Sequence, residues 1–324
     1  MEWTPDRLLP GYECYTFEIP LAVTATGEPE GPLTSTIIRR NPPTSRRAVM
    51  YLHGWNDYFF QTHLADFFAG LGFDFYAVEL RRYGRNLREG LLGGYITDLD
   101  EYFHELDTAY EVIASEHDEV TLVGHSTGGL VGALWAQGRA GDLAGLILNS
   151  PWLDLQGTPL LRAVTAPIIS RLSESYPTTV IPLPDNGFYQ RTILAGEDGE
   201  WEFDQTLKRS PAFVIRMGWL KAILQGHARI AAGLSIDCPI LVLASARSDF
   251  RRRWNEALLS ADTVLDVEKI AHAAIKLGHH VTMVRVEDGI HDLILSRPEV
   301  RQVVFDEMER WLSAYVLREV PGVR

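Results

Sequence analysis

Cysteine is nearly absent from this 324-residue chain: Cys14 and Cys238 are the only two. Two thiols cannot build a disulfide framework, and without an export signal they read as free thiols. No apolar run approaches the roughly 18 residues that a membrane span requires. The opening Met1-Glu2-Trp3-Thr4-Pro5-Asp6 lacks a basic stretch followed by an apolar core, so no signal peptide is expected, and the cytoplasm is the expected compartment. Positive charge is short as well. Lys and Arg number 30 against 43 Asp and Glu, a net charge of -13. That balance argues against nucleic acid and against a purely electrostatic grip on an anionic membrane. Internal repeats and low-complexity tracts are missing too. No pair among the 10 histidines has metal-ligand spacing, and neither a metal nor a cofactor is expected.

What remains is ordinary globular composition, 46% hydrophobic and 23% charged, in a chain long enough for one large α/β domain with an insertion. Tyr12 to Ile19 and Leu33 to Arg39 are strand-like and flank a Gly-Pro turn, which predicts an antiparallel hairpin at a sheet edge. Ala48 to Leu52 is a buried strand ending at His53-Gly54-Trp55. A helical period from Asp57 carries Phe60, His63, Leu64, Phe67 and Phe68 on one face. Phe73 to Leu80 is a strand, followed by a helix opened by Asp98 with Leu99, Tyr102, Phe103, Leu106, Tyr110 and Ile113 as its stripe. Val120 to Val123 and Leu143 to Leu148 are further buried strands. This rhythm predicts a mostly parallel sheet covered by helices on both faces, with its site at the carboxyl ends of the strands.

From Pro151 to about Leu234 the rhythm stops. Prolines are frequent there, Leu160 to Leu172 is helical, and an acidic loop (Glu197, Asp198, Glu200) follows. An inserted, mainly helical cap is expected over 151–234, dividing the core into 1–150 and 235–324; the plainer alternative is an irregular helical layer of the core. The strand pattern returns at Pro239 to Ala244, Val267 to Leu277 is helical, and His280 to Val286 is the last strand. The final helix opens at Pro298 and turns Val300, Val304, Met308, Trp311 and Tyr315 toward the sheet.

The chemistry concentrates at Gly124-His125-Ser126-Thr127-Gly128-Gly129. A strand precedes this Gly-x-Ser-x-Gly and a helical pattern, Leu130 to Trp135, follows it. A strand-to-helix turn so tight strains the serine backbone and lifts its hydroxyl above the sheet, and side chains beside it would clash. A serine hydroxyl is a weak nucleophile and needs a base. His291, in the loop after the last strand, is the candidate base, while His125 is expected to pack below the elbow. A third group must hold the imidazole. Asp249, Asp262 and Asp266 are candidates. Asp249 is followed by arginines that would pair with it, Asp266 is placed to cap the helix at Val267, and Asp262 is favoured. Two oxyanion donors are expected, the backbone N–H groups of Thr127 and of Trp55.

Together, His53-Gly54, Arg82-Tyr83-Gly84-Arg85, the serine elbow, Asp262 and Gly289-Ile290-His291-Asp292 resemble the α/β-hydrolase superfamily. Within it the chain is most similar to the monoacylglycerol lipase, lysophospholipase and serine aminopeptidase-like group. The likeness covers Ala48 to Leu148 and Pro239 to Leu317 and thins in the cap. It implies an α/β-hydrolase fold, with Ser126 as nucleophile, His291 as base, Asp262 as acid, and Trp55 and Thr127 at the oxyanion. Two departures stand out: the long Ser245–Ala261 stretch before the acid, and the bulky Trp55 where a smaller residue is common.

The expected function is hydrolysis of carboxylic esters through an acyl-enzyme, on a small-molecule substrate with an apolar acyl group seated against Leu160, Leu161, Val164, Ile168, Ile169, Trp219 and Leu220; these residues serve equally well as the cap's own core. Transient contact with a lipid surface through the cap is also expected. One alternative is an aminopeptidase of the proline iminopeptidase type, which needs a cap acid (Glu197, Asp198 or Glu200) to hold the substrate amine. Another is a ligand-binding protein on the same scaffold that does not turn over.

Overall fold

Buried apolar runs set the frame. The computed structural model describes residues 1–40, 42–155, 169–182 and 185–317. Its strands are β1 (Thr4–Pro5), β2 (Glu13–Glu18), β3 (Thr34–Arg39), β4 (Arg47–Leu52), β5 (Asp74–Glu79), β6 (Glu119–His125), β7 (Leu143–Asn149), β8 (Ile240–Ser245) and β9 (Val281–Val286). They form one sheet in the order β1-β2-β3-β5-β4-β6-β7-β8-β9. The first three are antiparallel, β2 and β3 forming the hairpin that the Gly-Pro turn predicts, and β5 onward is parallel.

Alternation along the strands sends side chains to two cores. In β4, Ala48, Met50 and Leu52 join one cluster and Val49 and Tyr51 the other. The first core is covered by α2 (Phe103–Ala114), α3 (Thr127–Ala136), α5 (Met217–Ala232) and α6 (Val267–Ala274). The second lies under α1 (Thr62–Gly70) and α7 (Pro298–Tyr315). A short helix, α4 (Phe188–Ile193), adds Ile193 to the second core.

Several element boundaries differ from the sequence reading. Helix α1 starts at Thr62, not Asp57. Asn56 has φ 53° and Asp57 is tied to its neighbour's amide and to Lys208, so the chain is held out of helix there. Asp98 does cap a turn, but a 3-10 turn at Leu99–Tyr102 that leads into α2. Helix α6 ends at Ala274. On α7, Val300, Val304, Met308 and Trp311 are buried as expected, whereas Tyr315 is 43% exposed, its ring lying edge-on to His280.

Strands β7 and β8 pair directly, so the residues between Asn149 and Ile240 leave the sheet. Part of the expected helix Leu160–Leu172 lies outside the described residues, as do Leu160, Leu161, Val164 and Ile168; residues 169–175 are helical. The end of this excursion rejoins the core. On α5, Trp219, Ala222, Ile223 and Ile230 are buried in the same cluster as β4 and β6. No helix among the described residues is long and apolar enough to cross a membrane.

Candidate active site

The turn between β6 and α3 carries Ser126 at φ 53° and ψ -117°, outside the regions that a residue with a side chain adopts freely. Its surroundings require small residues. A Cβ on Gly128 would lie 2.3 Å from the His53 carbonyl, and one on Gly54 would meet the Cβ of Ser126 at 3.1 Å. The loop after β4 therefore lies directly on the elbow, a consequence of the register that pairs Leu52 with Gly124.

Ser126 Oγ is 3.0 Å from His291 Nε2, and His291 Nδ1 is 2.9 Å from Asp262 Oδ2. The serine hydroxyl donates to the imidazole, which donates in turn to the carboxylate. All three side chains are buried. The other oxygen of Asp262 accepts from the amides of Val264 (2.7 Å) and Leu265 (2.8 Å), which fixes the carboxylate's orientation. Asp249 does not enter this relay; it pairs with Arg251 at 2.6 Å and with Arg247 at 3.7 Å. Asp266 caps α6 by accepting from the Glu268 amide.

The long stretch before the acid has a simple geometry. Asp262 N donates to the Arg247 carbonyl, Asp249 N donates to the Asp262 carbonyl, and Ser248 forms a parallel bridge with Asp262. The chain loops out and returns to a point just beyond the end of β8. In space the acid is as near that strand as a short connection would place it.

Thr127 is the first residue of α3, so its N–H has no carbonyl one turn earlier in the helix to receive it. Trp55 follows Gly54 across the elbow. Both border the space around Ser126, which divides into two cavities. One, of about 260 Å³, is lined by Trp55, Trp152, Leu155, Ile215, Trp219 and Leu265. The other, of about 160 Å³, is bordered by Asn56, Asp185, Tyr189, Gln190, Lys208 and Arg209 beside Ser126 and His291. Trp55 borders both. Glu197, Asp198 and Glu200 line neither, and Asp198 pairs with Arg191.

Sequence reasoning missed the shell behind the histidine. Asn149 Nδ2 donates to Asp292 Oδ1 at 2.6 Å, and its Oδ1 accepts from the Leu293 amide, anchoring the loop that carries His291. The Asn149 carbonyl accepts from Ser126 N and from His125 Nδ1. His125 is buried and borders the same cavity as Ser126, its ring 5.0 Å from that of His291, and burial lowers its pKa. Burial lowers His53 too; its Nδ1 donates to the Gly54 carbonyl and its Nε2 accepts from Leu80 N. Asp57, His125 and Asp292 converge with ligand atoms within 4.8 Å of one another, and the cation paired with this group is the Lys208 ammonium, 2.8 Å from Asp57 Oδ1. The dipeptide Asn149-Ser150 at a strand end is a faint sequence signal for such a shell, and Lys208 gave none.

A mostly parallel sheet with a strained serine at the turn between a central strand and its helix defines an α/β-hydrolase. The profile of the serine aminopeptidase S33 family matches residues 43–253, well over half of the chain, and the chain belongs to that family. The match includes Ser126 and ends before Asp262 and His291. No curated protein sequence matches. Among solved structures, a soluble variant of monoglyceride lipase from Saccharomyces cerevisiae is similar at 16% identity and TM-score 0.63, over 94% of this chain and 98% of that one. A monoacylglycerol lipase from Paleococcus ferrophilus is similar at 18% identity and TM-score 0.62, over 87% and 99%. Est1E from Butyrivibrio proteoclasticus with ferulic acid bound is similar at 12% identity and TM-score 0.56, over 88% and 97%. At these identities the likeness is one of fold.

Proposed function

We propose that this protein is a serine hydrolase of carboxylic esters with a compact apolar acyl group. The observation that carries the reading is the continuous Ser126–His291–Asp262 hydrogen-bond chain at a strained elbow. In the proposed reaction Ser126 Oγ attacks the ester carbonyl carbon as its proton passes to His291 Nε2. Asp262 holds the imidazole tautomer and stabilises the imidazolium. The N–H groups of Trp55 and Thr127 take the oxyanion. Collapse breaks the C–O bond, the leaving alcohol receives the proton from His291, and an acyl-Ser126 remains. Water, deprotonated by His291, then releases the acid and restores the serine.

The cavities suggest how a substrate lies. The tryptophan-lined side suits the acyl group and the second cavity, which holds Asn56 and Gln190, the alcohol. The acyl side, at about 260 Å³, is smaller than the roughly 300–1,000 Å³ of sites for drug-sized ligands. Short or flat acyl groups are therefore expected over long chains. Trp55 narrows the site from both sides, in keeping with its bulk. The exposed Leu172, Tyr176, Val180 and Val214 support transient contact of the β7–β8 excursion, read as a cap, with a lipid surface.

The family's description keeps an aminopeptidase in view. Two observations favour the ester. The cap acids that would hold a substrate amine stand away from both cavities, and the second cavity is bordered by the cationic residues Lys208 and Arg209. Its one acid, Asp185, has its oxygens engaged by the Gly187 and Ala212 amides. The test is a series of nitrophenyl esters from acetate to palmitate, with a monoacylglycerol and an aminoacyl anilide, on wild type and Ser126→Ala. Turnover of the short esters, lost in Ser126→Ala, is the expected result. Turnover of the anilide alone moves the assignment to the peptidase, and labelling of Ser126 by a fluorophosphonate without turnover of any ester moves it to a binding protein.

A further inference from the structure

Three consecutive residues after Trp55 each hold a piece of the excursion between β7 and β8. Asn56 Nδ2 donates to the Arg209 carbonyl at 2.8 Å, and its Oδ1 accepts from Arg209 N (3.4 Å) and Phe213 N (3.3 Å). Asp57 Oδ1 is 2.8 Å from Lys208 Nζ, with both side chains buried. Tyr58 OH accepts from Asp204 N at 2.7 Å. The same excursion reaches Trp55 itself: the Phe213 ring stands edge-on to the indole at 5.7 Å, and the Trp219 ring lies 4.0 Å from it.

These contacts converge on one short loop. Asn56 is held at φ 53°, a conformation that its side-chain bonds to residues 209 and 213 keep in place. That backbone turn, with the Phe213 and Trp219 rings against the indole, fixes Trp55 from its C-terminal side and so limits the Gly54–Trp55 peptide that carries its N–H. On its other side the loop is fixed by Gly54 against Ser126. The geometry points to residues 204–213 as the clamp that aims the Trp55 N–H at the oxyanion, with Asn56 and the Lys208–Asp57 pair as positioning residues. The inference rests on the serine-esterase reading and adds to it that the excursion takes part in chemistry as well as in substrate binding. An oxyanion donor acts only if it is placed before charge develops, so a loosened clamp lowers the rate without weakening ground-state binding.

The experiment uses the full chain with Asn56→Ala, Lys208→Met and Lys208→Arg, each checked for folding by near-ultraviolet circular dichroism. The substrate is a soluble short-chain nitrophenyl ester. Two inhibitors of one shape are compared: a trifluoromethyl ketone, whose adduct on Ser126 carries an oxyanion, and the methyl ketone, which binds without forming the adduct. Asn56→Ala is expected to lower kcat by about 10- to 100-fold with KM within about twofold. Affinity for the trifluoromethyl ketone should fall in parallel, affinity for the methyl ketone should hold, and Lys208→Arg should recover most of what Lys208→Met loses. A folded Asn56→Ala that keeps its kcat and trifluoromethyl ketone affinity overturns the proposal. So does equal loss of both ketones, which marks a role in cavity shape alone. If Asn56→Ala does not fold, the two Lys208 variants carry the same comparison, and failure of Arg to recover what Met loses counts against the clamp. Activity surviving in Ser126→Ala instead brings down the esterase reading beneath it.

Discussion

At Ser126 the backbone is bent away from every relaxed conformation, and the contacts around it leave room for little else. The relay it begins makes two residue-level predictions. Ser126→Ala is expected to lower kcat by about 10⁶-fold, as for the nucleophile of a serine protease, with the protein still folded. Asp262→Asn is expected to lower kcat by about 10⁴-fold, because an amide in its place allows the wrong imidazole tautomer. Asp249→Asn is the matched control. Its carboxylate faces two half-exposed arginines, so kcat should stay within about twofold and stability within about 1 kcal/mol. A steady-state comparison of the two asparagine variants decides between the acids; the reverse ranking removes Asp262 from the relay.

At the scale of elements, α5 joins excursion and core. Its buried face carries Trp219, 2% exposed, which packs against Trp55 and Trp152 and closes the apolar cavity. Trp219→Ala is expected to cost about 3–5 kcal/mol of stability through loss of a large buried side chain. The same change opens the cavity, so the preferred acyl chain should lengthen by several carbons. Urea unfolding and the ester series on one preparation check both effects. Loss of stability with an unchanged chain-length optimum means that the acyl group lies elsewhere.

At the scale of the whole molecule, folding holds several titratable groups in fixed charge states. Burial pushes His63 down to about 4 from 6.5, and its Nε2 donates to the Ile294 carbonyl. Burial lowers His53 and His125 as well. At His63, between about pH 6.5 and 4, the unfolded chain takes up a proton that the folded chain refuses, and His53 and His125 act in the same direction below about 6.5, so stability falls with falling pH, by up to about 3 kcal/mol from His63 alone. Two carboxylates add to the loss further down. Burial alone would raise Asp6 and Glu28, but bonds from Arg85 and Arg82 hold both below the usual range, and that stabilisation disappears as pH drops through their folded pKa. Urea unfolding across pH 4 to 7.5 should show a steady decline toward acid, shallower in His63→Gln, which keeps an N–H for Ile294. An identical slope in that variant removes His63 from the account.

The parallel strands, the tight turn at Ser126 and the candidacy of Ser126, Asp262 and His291 were legible in the sequence because each is a local pattern. Apolar runs of strand length, glycines around a serine and a histidine after the last strand need no knowledge of distant residues. Asp262 stood out among three acids because its rivals had local partners, Arg251 for Asp249 and the α6 amides for Asp266. Only the tertiary structure explained how an acid so far along the chain reaches the end of β8, since the returning loop is fixed by backbone pairing between Ser248 and Asp262. The late start of α1, the exposure of Tyr315, the Asn149–Asp292 shell and the hold of Lys208 and Arg209 on the loop at Asn56 were likewise decided there. Each depends on groups distant in the chain meeting in space, and side-chain periodicity records only which face of an element is buried, not what waits on the other side.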